Sequence, residues 1–425
     1  MPEAHVIDAG ERHSTDVELT LFQLLDPAVH ANPYPFYRRL QEAAPVHWDP
    51  FMQTWVVTRY DDVQTVLLRF SAERTPDPEK MRALGLPDLT SLAGMMTRQM
   101  LFQDAPDHTR LRKLCLTAFT PRRVEALEHQ IAKVAEGLID KVIASGAMDV
   151  IADFAEPFPA IVTAGLLGVP LDDHRQLKAW SADFAEMLGN FQHNPGRVRE
   201  ILRTVDVMTD YFRDEVRAQV RNPRDGLIAR LIAAESDGSR LTEDEIIANV
   251  IITMVGGQET TTNLIGNGLL TLIRNPDHMQ TLRAHPEIMK SAVEELLRYE
   301  SPSQHTARIA AEDTILGEKL IKKNFAVMAI MAAANRDPAR FTNPDQLDFT
   351  RADNRHLAFG WAAHFCFGAP LARMEGRIAF AVLLRRLADI RLQDLPLVWR
   401  GNSGLRGLVS LPIVFAGDGP RGVAR

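Results

Sequence analysis

The sequence predicts a mainly α-helical chain with small β-sheets, on three observations. Helical apolar spacing recurs along most of its length, only short strand-like pieces interrupt it, and no internal repeat or low-complexity linker divides it. The elements follow in order. Residues 1–19 mix acidic and basic side chains around no apolar core, so they read as a flexible tail, neither signal peptide nor membrane anchor. Residues 20–425 then form a single domain. Strand-like pieces occur at Trp55-Val56-Val57-Thr58, around Thr314–Val327 and at Leu408–Phe415.

The clearest helix begins at Thr242-Glu243-Asp244-Glu245, a capping box, and runs to about Arg274, where Asn275-Pro276 ends it. Its first half is apolar (Ile246, Ile247, Val250, Ile251, Ile252, Met254, Val255). That run is too short for a membrane span before Gly256-Gly257-Gln258-Glu259-Thr260-Thr261-Thr262 interrupts it. Paired glycines cost a helix interior about 1 kcal/mol each relative to alanine. A kinked, closely packed helix is the plain interpretation of such a stretch. A second amphipathic helix is expected from Ala369 to Asp389, with Leu371, Met374, Ile378, Val382 and Leu383 on its apolar face.

Composition sets the class. The chain has 425 residues, of which 46% are hydrophobic and 24% charged, as in a soluble globular protein. A net charge of −7 gives no support to nucleic-acid binding. Only 2 cysteines argue against a disulfide framework and suit a reducing cytoplasm.

One of them, Cys366, lies in Phe359-Gly360-Trp361-Ala362-Ala363-His364-Phe365-Cys366-Phe367-Gly368, just ahead of the second helix. A lone thiolate on a glycine-bracketed, aromatic loop suits the axial position of haem iron, where it favours O–O cleavage. The helix N-terminus beyond it favours thiolate over thiol. A buried inert cysteine is the usual fate of a free thiol. A zinc site using His364 would need further ligands, and Cys115 is distant in sequence.

The loop resembles the haem loop of the cytochrome P450 superfamily, Phe-Gly-x-Gly-x-His-x-Cys-x-Gly, with Ala362 in place of the second glycine. The resemblance extends from about Asn32-Pro33-Tyr34-Pro35 to Arg406-Gly407-Leu408-Val409-Ser410-Leu411-Pro412, and points to the soluble, bacterial-type branch. It implies that family's fold and a haem-thiolate monooxygenase that uses haem b (iron protoporphyrin IX) and O2. Cys366 would be the metal ligand, with Phe359 and Gly368 beside it. Gly256 and Gly257 would let the long helix pass close to the haem. Glu259 would deliver protons and Thr260 would bond a carbonyl one turn back and the bound oxygen. His108, Arg112, Arg308 and His364 match propionate contacts. Glu295 and Arg298 match a buried structural ion pair whose usual third partner, an arginine, is here Gln346; Arg336 or Arg351 is expected to replace it.

The same resemblance places an apolar substrate against Met95, Met96, Leu101, Phe184, Met187, Val255, Ser303, Gln304, His305, Gly404 and Leu405. A Met-rich stripe is otherwise plain core. Electrons, ultimately from NAD(P)H, would come from a ferredoxin or flavodoxin and its reductase, docking on Arg110, Lys113, Arg122, Arg123, Arg373 and Arg377. As isolated features these are solvated surface charges. The expected product is a hydroxylated or epoxidised organic molecule, made by a cytoplasmic monomer. A haem sensor without catalysis would need neither Thr260 nor a proton relay. A peroxide-driven oxidant would likewise leave Glu259 and Thr260 without purpose.

Overall fold

The computed structural model describes residues 19–83, 88–190, 195–236 and 238–417. The expected tail therefore lies outside the described residues, apart from Leu19. The architecture is mostly helical. Its main helices are α1 (Tyr34–Ala43), α2 (Tyr60–Arg69), α3 (Asp107–Ala118), α4 (Glu128–Val142), α5 (Pro157–Leu167), α6 (His174–Asn190), α7 (Val198–Arg221), α8 (Glu243–Arg274), α9 (Met289–Tyr299) and α10 (Ala369–Arg386).

Helix α8 is the axis. Thr242 accepts from the Glu245 backbone while Glu245 reaches back to Thr242, so the expected capping box is formed. The C-terminal limit also stands, at Arg274 before Asn275-Pro276. Helices α5, α6, α7, α9 and α10 pack around α8. Most of its length is buried, including the polar side chains Gln258, Glu259, Thr261, Thr262, Asn263 and Asn267. A helix this apolar on nearly all sides is an interior element, and among the described residues no helix is long and apolar enough to cross a membrane.

Among the described residues, eleven strands make up the small sheets: β1 (Val46–Asp49), β2 (Thr54–Val57), β3 (Ala147–Asp149), β4 (Glu235–Ser236), β5 (Ser239–Arg240), β6 (Thr306–Ile309), β7 (Thr314–Leu316), β8 (Lys319–Ile321), β9 (Ala326–Ala329), β10 (Leu387–Leu392) and β11 (Pro412–Gly417). The largest has four strands in the order β1-β2-β9-β6, with β2 and β9 parallel and the other pairs antiparallel. A second sheet, β10-β11-β3, closes the C-terminal end.

Two boundaries differ from expectation. Helix α10 stops at Arg386, and 387–389 open strand β10, where Leu387 and Ala388 pair with Gly417 and Ala416 of β11. The expected strand at Leu408–Phe415 starts only at Pro412; Leu408 forms an isolated bridge to Trp399. The expected apolar face of α10 is buried at all five positions, Leu371, Met374, Ile378, Val382 and Leu383.

Candidate functional site

A cavity of about 720 Å³ lies between α8, the N-terminus of α10 and strand β6, lined by Cys366, Thr260 and Arg308 among others. Its lining is mainly apolar, with few polar groups, the pattern of a small-molecule site.

The loop before α10 contributes Phe359, Gly360 and residues 364–368 to the wall. The Cys366 backbone N–H donates to the Phe359 carbonyl at 2.8 Å, closing the loop on itself. Burial pushes the Cys366 thiol up; the backbone N–H groups of Gly368 and Ala369 and the guanidinium groups of Arg112 and Arg373 act in the opposite direction. The helix-terminus effect expected from sequence is therefore present but outweighed by burial. Ala362 adopts φ +57°, a left-handed conformation that glycine reaches without steric cost, and Gly360 sits at φ +70°. Ala362 thus holds a backbone conformation that glycine favours.

Basic side chains ring one edge. His108 and Arg112, four residues apart on α3, both line the cavity. Arg112 Nη2 donates to the Phe365 carbonyl at 2.7 Å, tying α3 to the cysteine loop. The His108 and His364 rings lie 4.1 Å apart between centroids. Burial, then neighbouring His108 and Arg308, hold His364 down at about 3. Burial also lowers His108. Arg308 on β6 is buried, and burial lowers it to about 10. His108 Nε2 and Arg308 Nε are both buried without a partner. Unpaired buried nitrogens of this kind call for polar partners, and the guanidinium groups of Arg112 and Arg308 favour anionic ones, so the site fits a porphyrin with two propionates and one axial thiolate. Among the described residues no group of three or more His, Cys, Asp or Glu side chains is placed to hold a metal ion.

On α8, the Thr260 hydroxyl donates to the Gly256 carbonyl at 2.6 Å, one turn back, as expected. The helix nevertheless continues unbroken through this point. A Cβ at Gly256 would meet nothing within 4 Å, so this glycine faces open cavity, whereas one at Gly257 would touch Thr163 Oγ1 at 3.4 Å. Glu259 is placed differently from its neighbours. It is buried outside the cavity wall, clamped by Lys178 Nζ and Arg400 Nη1, each at 2.8 Å. Lys178 and Arg400 also bridge to Glu156, so Glu259 is held in a four-membered charge network.

Sequence reasoning missed a second acid. Glu375 of α10 lines the cavity and accepts from the Thr261 hydroxyl at 3.3 Å, while its Oε1 is buried and unpartnered. Burial pushes it up to about 8. The pattern of α10 offered one signal, a carboxylate next to its apolar face between Met374 and Ile378. Also missed were Lys178 and Arg400, which reach Glu259 from residues 81 and 141 positions away.

The Glu295–Arg298 pair is fully buried, with Arg298 Nη2 2.7 Å from Glu295 Oε1. Arg298 also donates to the Gln346 carbonyl at 3.2 Å, using the backbone of the residue that replaces the usual arginine.

Of the residues expected against the substrate, Met96, Leu101, Met187, Val255, Ser303, His305, Gly404 and Leu405 line the cavity. Met95, Phe184 and Gln304 do not. The Met95 sulfur accepts from Gln99, Phe184 is packed in the core, and Gln304 turns to Tyr37 and Ser301. The expected docking cations are unevenly disposed. Lys113, Arg122 and Arg123 are exposed, and Arg123 is held by the carbonyls of Thr117 and Ala118. Arg110 is committed to Glu245, Arg373 to Glu294 at 2.7 Å, and Arg377 lies 4.0 Å from Glu128.

The chain is similar to several known proteins. The family model described as Cytochrome P450 matches residues 20–388. The biotin biosynthesis cytochrome P450 of Bacillus subtilis (strain 168) is 38% identical over 388 residues, covering 90% of this chain and 96% of that protein. The polyketide biosynthesis cytochrome P450 PksS of the same organism is 36% identical over 410 residues, covering 93% and 99%. The crystal structure of P450BioI in complex with hexadec-9Z-enoic acid ligated acyl carrier protein superposes with a TM-score of 0.86 at 36% identity, covering 92% of this chain and 99% of that one.

Proposed function

The chain belongs to the cytochrome P450 family of monooxygenases, and we propose that it holds haem through Cys366 and oxidises an extended apolar molecule with one atom of dioxygen. The observation that carries this is that the Cys366 loop, Thr260 and two buried basic side chains with unpartnered nitrogens, His108 Nε2 and Arg308 Nε, all line one cavity. Bound haem supplies the iron that activates oxygen, and thiolate ligation favours O–O cleavage.

The chain's own residues do the rest. His108, Arg112, Arg308 and His364 anchor the propionates. Gly256 leaves the space beside the helix free, and the Thr260 hydroxyl, already bonded to Gly256, stands where it can pass or hold a proton. Glu259 feeds protons from the solvent side when Lys178 or Arg400 releases it. The cavity's methionine and leucine wall takes the substrate by apolar contact and excludes water. A relative was solved with a fatty acid on its carrier protein, and an acyl-like chain suits this wall too. The product is a hydroxylated or epoxidised molecule, the second oxygen atom leaving as water with two electrons and two protons consumed.

The electrons come from NAD(P)H through a reductase and a ferredoxin or flavodoxin. Lys113, Arg122 and Arg123 offer the exposed basic part of its docking face, together with Arg377. Stopped-flow reduction should slow as salt is raised and on charge reversal at Lys113; rates indifferent to both would place docking elsewhere.

The defining test is spectroscopic. The haem-loaded, reduced protein with carbon monoxide should show the strongly red-shifted Soret band of thiolate ligation, and Cys366→Ala should abolish it. Persistence of that band in the variant would remove Cys366 as the ligand.

A further inference from the structure

The cavity edge carries one more guanidinium than the propionate contacts expected from sequence. Arg74 lines the cavity, and its Nη1 donates only to backbone carbonyls, Ala72 at 2.9 Å and Leu101 at 3.2 Å. Its guanidinium carbon lies 4.6 Å from the Phe102 ring centre. Among the described residues no carboxylate lies within ion-pairing distance of it. Burial and the nearby charge of Arg308 lower it to about 9.

Three chain segments bring it there. Ser71 and Ile309 exchange backbone hydrogen bonds of 2.8 and 2.9 Å, which fastens the chain after α2 to the strand that carries Arg308. The Ala72 N–H donates to Asp104 Oδ1 at 3.0 Å, which fixes the segment before α3 to the same place. His364 approaches Asp104 from the cysteine loop at 3.9 Å.

A half-buried cation such as Arg74 set beside the buried Arg308 is costly unless an anion joins them. Arg74, Arg112 and Arg308 bring three positive charges to this edge. Asp104 is the carboxylate that acts on Arg74 and Arg308. Three guanidinium groups outnumber that one carboxylate, and propionates would supply further negative charge.

We propose that Arg74 is a further carboxylate anchor, clamping a haem propionate jointly with Arg308. This rests on the haem reading above. A carboxylate on the substrate has the same chemistry, and the test separates the two sources.

Haem-loaded wild type, Arg74→Gln and Arg74→Lys would be mixed with excess apomyoglobin and haem transfer followed, with reduction potentials measured in parallel. Loss of a charge-assisted hydrogen bond predicts about ten- to a hundred-fold faster release from Arg74→Gln. Its potential should move negative, since a positive charge no longer opposes the ferric state. Arg74→Lys keeps the charge without the fork, and should fall between; if Arg74→Gln does not fold, faster release from Arg74→Lys carries the test. Release and potential unchanged in the folded variants would overturn the proposal. So would unchanged release combined with loss of the preference for palmitic acid over hexadecanol in spin-state titrations, which would assign Arg74 to the substrate. Failure of the wild type to give the thiolate Soret band would instead refute the haem reading itself.

Discussion

Arg351 Nε lies 3.2 Å from Glu295 Oε2, so an arginine five residues beyond Gln346 completes the buried cluster around Glu295 and Arg298. Arg336, the other candidate, is sandwiched between Tyr34 and Tyr299, its guanidinium carbon 3.5 and 3.9 Å from their ring centres. Glu295 also accepts from the Asp348 N–H at 2.9 Å and from Asn354 at 3.2 Å. Removing one partner from a buried pair strands the other charge. Arg298→Leu should therefore cost about 3–5 kcal/mol. Arg351→Leu should cost less, about 1–3 kcal/mol, because Arg298 remains. Urea unfolding midpoints of the two variants would check the order, and equal losses would refute it.

Ala362 offers a stabilising change. Its φ of +57° costs an L-residue about 1–2 kcal/mol. Glycine removes that strain and gives back about 0.5–1 kcal/mol through unfolded-state freedom. Ala362→Gly should raise stability by up to about 1 kcal/mol, read as a higher thermal midpoint. A clear fall in the midpoint would mean that the Ala362 methyl contributes packing that outweighs the strain.

Glu375 gives a pH dependence with a definite sign. Its carboxyl is raised from 4.5 to about 8 by burial. Between those values the unfolded chain releases the proton and the folded chain retains it, so stability from this group falls as pH rises through that window. Glutamine cannot titrate. The stability of Glu375→Gln relative to wild type should therefore climb from pH 5 to pH 8. Parallel pH profiles would show that Glu375 is not buried as a neutral acid.

Thr260 and Glu259 can be separated by coupling. Thr260→Ala loses the 2.6 Å bond to Gly256 but leaves helix and cavity in place. It should bind substrate, consume reductant, and release more hydrogen peroxide and less product. Glu259→Gln weakens the clamp from Lys178 and Arg400, and should slow turnover with an altered solvent isotope effect. Unchanged coupling in the first variant, or an unchanged rate and isotope effect in the second, would remove that residue from the proton path.

Local signals in the sequence determined a good deal about this protein. The Thr242 capping box and Asn275-Pro276 set both ends of α8, because caps and prolines act within one turn. The spacing of His108 and Arg112 put both at the cavity, since residues four apart share a helix face. The sequence around Cys366 carried the glycine-like turn even where alanine replaced glycine. Tertiary structure decided which charges meet. Arg351 took the place beside Glu295 while Arg336 was taken by two tyrosines. Lys178 and Arg400 turned Glu259 away from the cavity wall, Glu375 came to face Thr261, and the Ser71–Ile309 bridge brought Arg74 beside Arg308. Each of these depends on segments far apart in the chain, and long-range pairing of single side chains leaves no periodicity for a sequence to display.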